Sequence, residues 1–420
     1  MLRRGLHVPK IFVYCGWLLE IAGKKENRKK GVRRERETCD HSGSCARRKN
    51  RLQYIVRAID DEIFEETGIR YAYERYIKYV HFDDLFSFTG LYISSHICAS
   101  GFRRRPDTFF FIHGCARHCM ELIERIKTGT FKPRYFPKKQ IVEHRKKRNI
   151  RPPYFENKTV QKVICELLMR PVLEHSMIYH SDASVSGRGT GKLYDDVEKH
   201  LNLANRLYGK DGVVIKVDFS NYFGSIDRKG RLYRMYRKHF IDRRFADFLM
   251  LFDDDDTGLS LGNETSQIPA SAFTSPIDHY FKDRLGTKCY DRYMDDTIIC
   301  CHKDEAEGII SAYKGWADEM GLLLRDEKIH VQPLRSEVVF CKEHYRYAHG
   351  EYFRLPNPDI ERIIRQKISE YKAVVAEGYR TKEWASKRLR AMLNSYRKRP
   401  NTTKKLDELT ALATAEGLMG

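Results

Sequence analysis

The stretch "CYDRYMDDTIICC", residues 289–301, sets two adjacent aspartates, Asp295 and Asp296, between runs of tyrosine, isoleucine and cysteine. The flanks are good β-formers and the centre is polar, which reads as strand, tight turn, strand. Neighbouring carboxylates in such a setting repel each other and resist burial unless a cation sits beside them. The pair is therefore either a solvated turn or part of a cation site. A second stretch favours the cation. "GVVIKVDFSNYFGSID" (212–227) opens as a buried, β-branched strand and turns irregular at Asp218. If that strand lies beside the hairpin, carboxylates from remote parts of the chain meet at one sheet edge. Such a set can hold two Mg²⁺ ions about 4 Å apart, the arrangement that joins a 3′-hydroxyl to a nucleotide α-phosphate. Oxygen-only ligands suit Mg²⁺, with Mn²⁺ as a substitute, and the metal charge offsets the repulsion.

Charge points the same way. The 420 residues carry 77 Lys and Arg against 57 Asp and Glu, a formal +20 with a pI of about 9.4. An excess of that size implies a polyanionic partner, and nucleic acid is the commonest. Residues 1–55 hold fifteen basic and five acidic side chains. Residues 131–151, "FKPRYFPKKQIVEHRKKRNIR", hold nine and one, interleaved with Phe131, Tyr135 and Phe136. Basic groups among aromatics suit phosphate neutralisation and base stacking. The richer acidic run "DDDD" (253–256) precedes a glycine loop and reads as a solvated turn. Eleven cysteines lack regular spacing; "CDHSGSC" and "CARHC" have no second pair at zinc-finger distance, so thiols in a reducing cytosol are expected. The apolar run "IFVYCGWLL" (11–19) is too short to span a bilayer and runs into Glu20 and a Lys/Arg cluster. The expectation is a cytoplasmic protein with no membrane partner.

Residues 1–50 show almost no apolar periodicity and read as a basic extension. Residues 52–130 are mostly helical in pattern, with Cys115, Met120, Leu122, Ile123 and Ile126 forming an apolar stripe. "NKTVQKVICELLMRPVLEHSM" (157–177) is a second amphipathic helix. "GLSLGNETSQIPASAFTSPIDHYFKDRL" (258–285) runs from a glycine loop into a helix that Thr265 or Ser266 can cap. Pro269 is tolerable in its first turn, and Pro276 should kink it. Near the C-terminus, Ile360, Ile364, Ile368, Tyr371 and Val375 recur at helical spacing up to Gly378. Thr381 then starts a helix carrying Trp384, Leu389, Met392, Leu393 and Tyr396. Helices alternating with short, non-consecutive strands indicate an α+β fold.

"VDFSNYF", the tetrapeptide Tyr293-Met294-Asp295-Asp296 and "GLLLRDEKIHV" (321–331), in that order, resemble the palm motifs of the reverse transcriptases. The likeness covers about residues 80–400, most of the chain. It implies a right-hand polymerase with fingers, a palm built on an antiparallel sheet, and a helical thumb. The corresponding boundaries are a basic extension over 1–51, fingers with the first palm elements over 52–211, palm over 212–350, and thumb with C-terminal tail over 351–420. By that resemblance Asp218, Asp295 and Asp296 are metal ligands and catalytic, with Asp295 the principal one. Phe223 is the gate against a ribose 2′-hydroxyl, and Lys328 assists pyrophosphate departure. "VVFCKEHYRY" (338–347) falls where a primer-holding hairpin is expected. In "KKRNIRPPYFENKTVQ" (146–161), Lys147, Arg148 and Arg151 are candidates to clamp the incoming dNTP. The implied partners are an RNA template and a DNA product, with a structured non-coding RNA, an accessory protein or a second copy left open.

One departure stands out. Many reverse transcriptases have Gln-Gly in the palm loop; here it is Leu261-Gly262-Asn263-Glu264-Thr265-Ser266-Gln267. This Gly-x-x-x-Ser-Gln form resembles enzymes of diversity-generating retroelements and the related "unknown group" enzymes, many linked to phage defence. It places Leu261, Gly262, Ser266 and Gln267 at the nucleotide site. The resemblance implies RNA-directed DNA synthesis, in anti-phage defence or in diversity generation. An RNA-directed RNA polymerase and a non-catalytic RNA-binding scaffold stay open as rivals.

Overall fold

The centre of the fold is a four-stranded antiparallel sheet, and the alternation of its side chains explains what covers each face. The computed structural model describes residues 81–100, 104–143, 146–252, 258–355, 358–397 and 402–419, all within the unit that runs from Leu52 to the C-terminus. The basic extension, the apolar run at 11–19, "CDHSGSC" and "DDDD" lie outside the described residues.

Strands β1 (Lys139–Glu143) and β2 (Lys146–Ile150) form a hairpin. The central sheet has β3 (Gly212–Asp218), β4 (Cys289–Tyr293), β5 (Asp296–His302) and β6 (Ile329–Pro333), in the order β4-β5-β3-β6. Successive residues of a strand point to opposite faces. Val214, Ile298, Cys300 and Cys289 pack on one face against Leu193, Val197, Leu201 and Ala204 of a long helix, α5 (Thr190–Tyr208). Ile215, Val217, Ile299 and Tyr290 enter the main core with Phe281, Tyr313 and Ala317 on the other. A fully buried Ile215 contributes about 1.5–3 kcal/mol by leaving water. Because both faces are covered, β3 and β5 read as continuous apolar runs.

Before α5 come α1 (Phe88–Ala99), α2 (Pro106–His113), α3 (Cys115–Lys127) and α4 (Phe155–Ile164). In α3 the buried stripe is Cys115, Cys119, Leu122 and Ile126, whereas Met120 is 58% exposed. The i, i+4, i+7, i+11 spacing puts Cys119, not Met120, under the core. Helix α4 widens into a π turn (Cys165–Met169) before Arg170–Leu173, so the expected helix is interrupted as well as extended. Phe131 is also a correction: it is 2% exposed and belongs to the core, so it cannot stack on a base. Phe136 stacks instead on Tyr154 at 4.0 Å, with Arg105 and Arg134 over the two rings.

Helix α6 (Glu264–Phe273) begins one residue before the expected caps. Asn263 is its N-cap position, and Thr265 and Ser266 are buried inside its first turn, so neither caps it. Pro276 falls in the first turn of Ser275–His279, where the missing N–H costs nothing. Helix α7 (Ala306–Met320) covers the main-core face of the sheet. A second antiparallel sheet, β7 (Val338–Phe340), β8 (Glu343–Ala348) and β9 (Glu351–Leu355), joins the α5 cluster through Val338, Phe340, Tyr345 and Tyr352. Helices α8 (Pro358–Ala376), α9 (Lys382–Arg397) and α10 (Thr403–Ala415) end the chain around their own core of Ile364, Ile368, Leu389, Leu393 and Leu409. Gly378, at φ +74°, stops the chain after α8, and the Thr381 hydroxyl caps α9 by accepting from the Trp384 N–H. The architecture is α+β with antiparallel sheets. Among the described residues no helix is long and apolar enough to cross a membrane.

Candidate active site

Register brings the aspartates together. In the β3–β5 pairing Asp218 lies opposite Asp296, and in the β4–β5 hairpin Tyr293 lies opposite Asp296. Met294 and Asp295 form the turn between them, with Met294 at φ +60°. An unbranched residue other than glycine rarely adopts that conformation, and it persists only where its surroundings hold it. Arg292 does the holding. Its Nη1 donates to the Met294 carbonyl at 2.8 Å, while Nε and Nη2 grip Asp278 at 2.7 and 2.6 Å. Nη2 also donates to Ser181 Oγ and the Ser271 carbonyl. Arg292 and Asp278 are both fully buried. Burial opposes the guanidinium's charge, but Asp278 outweighs it and raises the pKa further.

The carboxylates are crowded. Burial, then the Asp295 and Asp218 charges, push the Asp296 carboxyl up to about 7. Cys341, in the β7–β8 turn, sets its thiol 3.8 Å from Asp296 Oδ2. Burial, and after it Asp296 and Asp295, raise that thiol's pKa. Lys328, in the turn Asp326–Lys328 leading into β6, ion-pairs with Asp218, and that bond raises the lysine's pKa. The lysine expected to face a leaving group thus rests on one of the carboxylates. A cation on this edge already offsets part of the repulsion.

Among the other predicted residues, only some are linked to one another. Phe223 is half-buried after Asn221, which adopts the left-handed conformation. The Phe223 carbonyl accepts from the Leu259 N–H at 2.7 Å. Gly258, at φ +76°, is required there, since a Cβ would stand 2.3 Å from that carbonyl. Leu261 is half-buried and Gln267 exposed, while Ser266 is fully buried. Gly262 is exposed, and a side chain on it would begin 3.6 Å from the Arg151 carbonyl. Arg151 lies over the Tyr135 ring at 5.0 Å. Lys147 and Arg148 belong to β2, opposite Val142 and Ile141; their side chains lie outside the described residues.

Three residues here were not among the expected ones. Gln161 of α4 locks the start of α6 by donating to Asn263 Oδ1 at 2.9 Å and accepting from the Glu264 N–H at 3.0 Å. Cys341 gives no hint in "VVFCKEH". Arg292 could have been found, because a buried strand carrying arginine beside a turn needs an acid, and "SPIDHY" supplies Asp278.

The crowding has a measurable consequence. Between about pH 4 and 7 the folded chain keeps a proton on Asp296 that the unfolded chain has released. This contribution to stability is fully present below about pH 4 and is lost as pH rises through about 7. Thermal unfolding without metal is expected to show that slope, set by Asp296 among Asp295, Asp218, Lys328 and Cys341. Asp296→Asn should flatten it, and millimolar Mg²⁺ should stabilise the wild type at pH 8 more than at pH 5. An unchanged slope in the variant would remove Asp296 as its source.

The sequence matches no protein-family model and no curated protein. Among solved structures it is similar to telomerase from Candida albicans in complex with the TWJ fragment of telomeric RNA, at 10% identity and a TM-score of 0.38. The match covers 70% of this chain and spans 61% of the telomerase chain. So slight a likeness carries nothing about function; the residues themselves must.

Proposed function

We propose that the chain is an RNA-directed DNA polymerase of right-hand architecture, with fingers, palm and thumb divided as the sequence motifs divide them. The observation that carries this is the antiparallel register placing Asp218 opposite Asp296 while the Met294 turn presents Asp295. The three carboxylates would hold two Mg²⁺ ions, or Mn²⁺ in their place. Their fit to divalent cations rests on the oxygen donor set, the raised Asp296 carboxyl and the Lys328 cation on Asp218. When bound, such ions lower the pKa of an attacking 3′-hydroxyl and neutralise the departing pyrophosphate.

The chain's own residues supply positioning and selection. Phe223 gives a bulky wall beside Asp218 and disfavours a ribose 2′-hydroxyl. Lys328 adds positive charge where the pyrophosphate leaves. Arg151, with Lys147 and Arg148 of the basic β1–β2 hairpin, clamps the triphosphate, and the +20 charge holds the template–product duplex. The purified chain should extend a DNA primer on an RNA template with deoxyribonucleotides in Mg²⁺. A preference for ribonucleotides would make it an RNA polymerase. RNA retention without any product would make it a scaffold.

Leu261 gives the finer proposal. Leucine cannot make the polar contacts that glutamine makes near a nascent base pair; Leu261-Gly262 with Ser266-Gln267 is a form shared by defence-linked and diversity-generating enzymes, and of the two roles we propose anti-phage defence. Diversity generation is the alternative, and it requires a neighbouring variable repeat and an accessory protein. Leu261→Gln is expected to change misincorporation several-fold on the same template; an unchanged error spectrum removes Leu261 from fidelity. Phage plating efficiency with wild type and Asp295→Ala separates the two roles. Sequencing nucleic acids that copurify with the active chain identifies any non-coding RNA template.

A further inference from the structure

Two histidines and an aspartate converge on the α5 side of the sheet, in an arrangement that the carboxylate edge does not use. Asp291 shares the parity of Cys289 in β4 and so faces α5. His200 of α5 places Nδ1 2.6 Å from Asp291 Oδ2. His180 brings its Nδ1 to 3.4 Å from Asp291 Oδ1. Backbone pairing fixes it there: Arg292 N–H donates to the His180 carbonyl at 2.9 Å, and Asp182 N–H to the Arg292 carbonyl at 3.1 Å. One donor atom from each of the three residues lies within 4.8 Å of the others.

Two further observations point to a cation. Asp291 is 1% exposed, and its Oδ1 and the His180 Nδ1, though 3.4 Å apart, are both buried and make no hydrogen bond of normal geometry with each other or with another described residue. A polar atom so placed is costly. The local charge is also unbalanced. Asp182, Asp196 and Asp291 are all buried here, while Lys192 is the ammonium that meets Asp182 at 3.0 Å and Asp196 at 2.5 Å. Lys199 reaches Asp196 only from the surface, at 3.7 Å. Three buried carboxylates thus face one half-buried ammonium and two imidazoles, and a divalent cation held by those imidazoles would balance them.

We propose that His180, His200 and Asp291 form a structural site for a transition-metal ion of the zinc class. Asp196, whose Oδ2 lies 3.5 Å from His180 Nδ1, or a water completes the shell. Two imidazoles and a carboxylate are zinc-type donors, unlike the oxygen-only set at the sheet edge. Zinc bonds of about 2.0–2.1 Å put tetrahedral donor atoms about 3.3 Å apart. The His180–Asp291 spacing already meets that, and a small rotation of His200 opens the other. The ion would clamp α5 and residues 180–182 onto β4 one residue before Arg292, bracing the base of the hairpin. This site does not depend on the polymerase proposal.

The test uses the full chain, free of any histidine tag, dialysed against micromolar zinc with excess Mg²⁺ to occupy the carboxylate edge. Mass spectrometry of the protein's metal content should find about one zinc per chain. The His180→Ala/His200→Ala variant should hold less than about a tenth of that, and Asp295→Asn should keep it. Should the double variant fail to fold, cobalt(II)-loaded wild type still decides, through the visible ligand-field absorption of a tetrahedral, imidazole-bound ion. Chelation should lower the unfolding midpoint of wild type and leave the folded double variant unmoved. A wild-type chain that takes up neither zinc nor cobalt overturns the site. Full zinc occupancy in the folded double variant also overturns it.

Discussion

Asp295→Ala is expected to lower RNA-templated extension by on the order of 10³-fold, and Asp218→Ala to do the same. On the proposed reading each carboxylate helps hold a divalent cation against oxygen on which negative charge builds, so its loss would remove several kcal/mol of transition-state stabilisation. Asp295 sits in the hairpin turn and Asp218 ends β3, so neither side chain props up the core. Far-ultraviolet circular dichroism should therefore stay native in both variants. Asp296→Asn should cost less, about tenfold, because that carboxyl is raised to about 7 and is only partly charged near neutrality before a cation binds. Single-turnover extension at saturating nucleotide is the measurement. Asp295→Ala retaining more than about a tenth of the wild-type rate would sink the assignment of the edge as the catalytic centre.

What could be read from sequence was whatever depends on neighbours along the chain. The β-branched run 212–218 is a strand, and 289–301 is a hairpin, because burial on both faces demands apolar residues at every position. Ile360 to Val375 forms a helix that ends near Gly378, because periodicity and caps are local. Two misreadings share one cause. Met120 and Phe131 are apolar residues near amphipathic or basic segments, and only the tertiary partners decide that the first faces water and the second does not. Cys119, a small thiol, took the place expected of Met120 under α3. Helix α10 was missed because alanines and threonines around Leu406 and Leu409 give a thin apolar stripe that only the neighbouring helices complete. At the site, the aspartates were legible as a motif, but their support was not. Ser181 and Ser271 hold Arg292 from 111 and 21 residues away, and Cys341 reaches Asp296 across 45. No pattern within a single segment encodes such pairs.

Arg292 should therefore be the most sensitive position outside the carboxylates, and Arg292→Met is expected to destabilise the chain by about 3–5 kcal/mol. The guanidinium makes five hydrogen bonds in a fully buried setting, two of them to Asp278. Removing it leaves the Asp278 carboxylate buried with Tyr290 Oη as its remaining donor, at 2.7 Å. An uncompensated buried charge carries most of that cost. Arg292→Met/Asp278→Asn should recover most of the stability, because a buried pair replaced on both sides by neutral groups is often close to neutral. Activity should separate from stability in that double variant. It lacks the donor to the Met294 carbonyl, so the turn can leave its φ of +60° and carry Asp295 off the edge. Extension is expected to stay at least tenfold below wild type while the unfolding midpoint returns to within a few degrees of it. If the double variant regains both stability and rate, Arg292 only neutralises Asp278, and the turn needs no holding. If it regains stability alone, the buried arginine is what keeps the catalytic aspartate pointed at its partners.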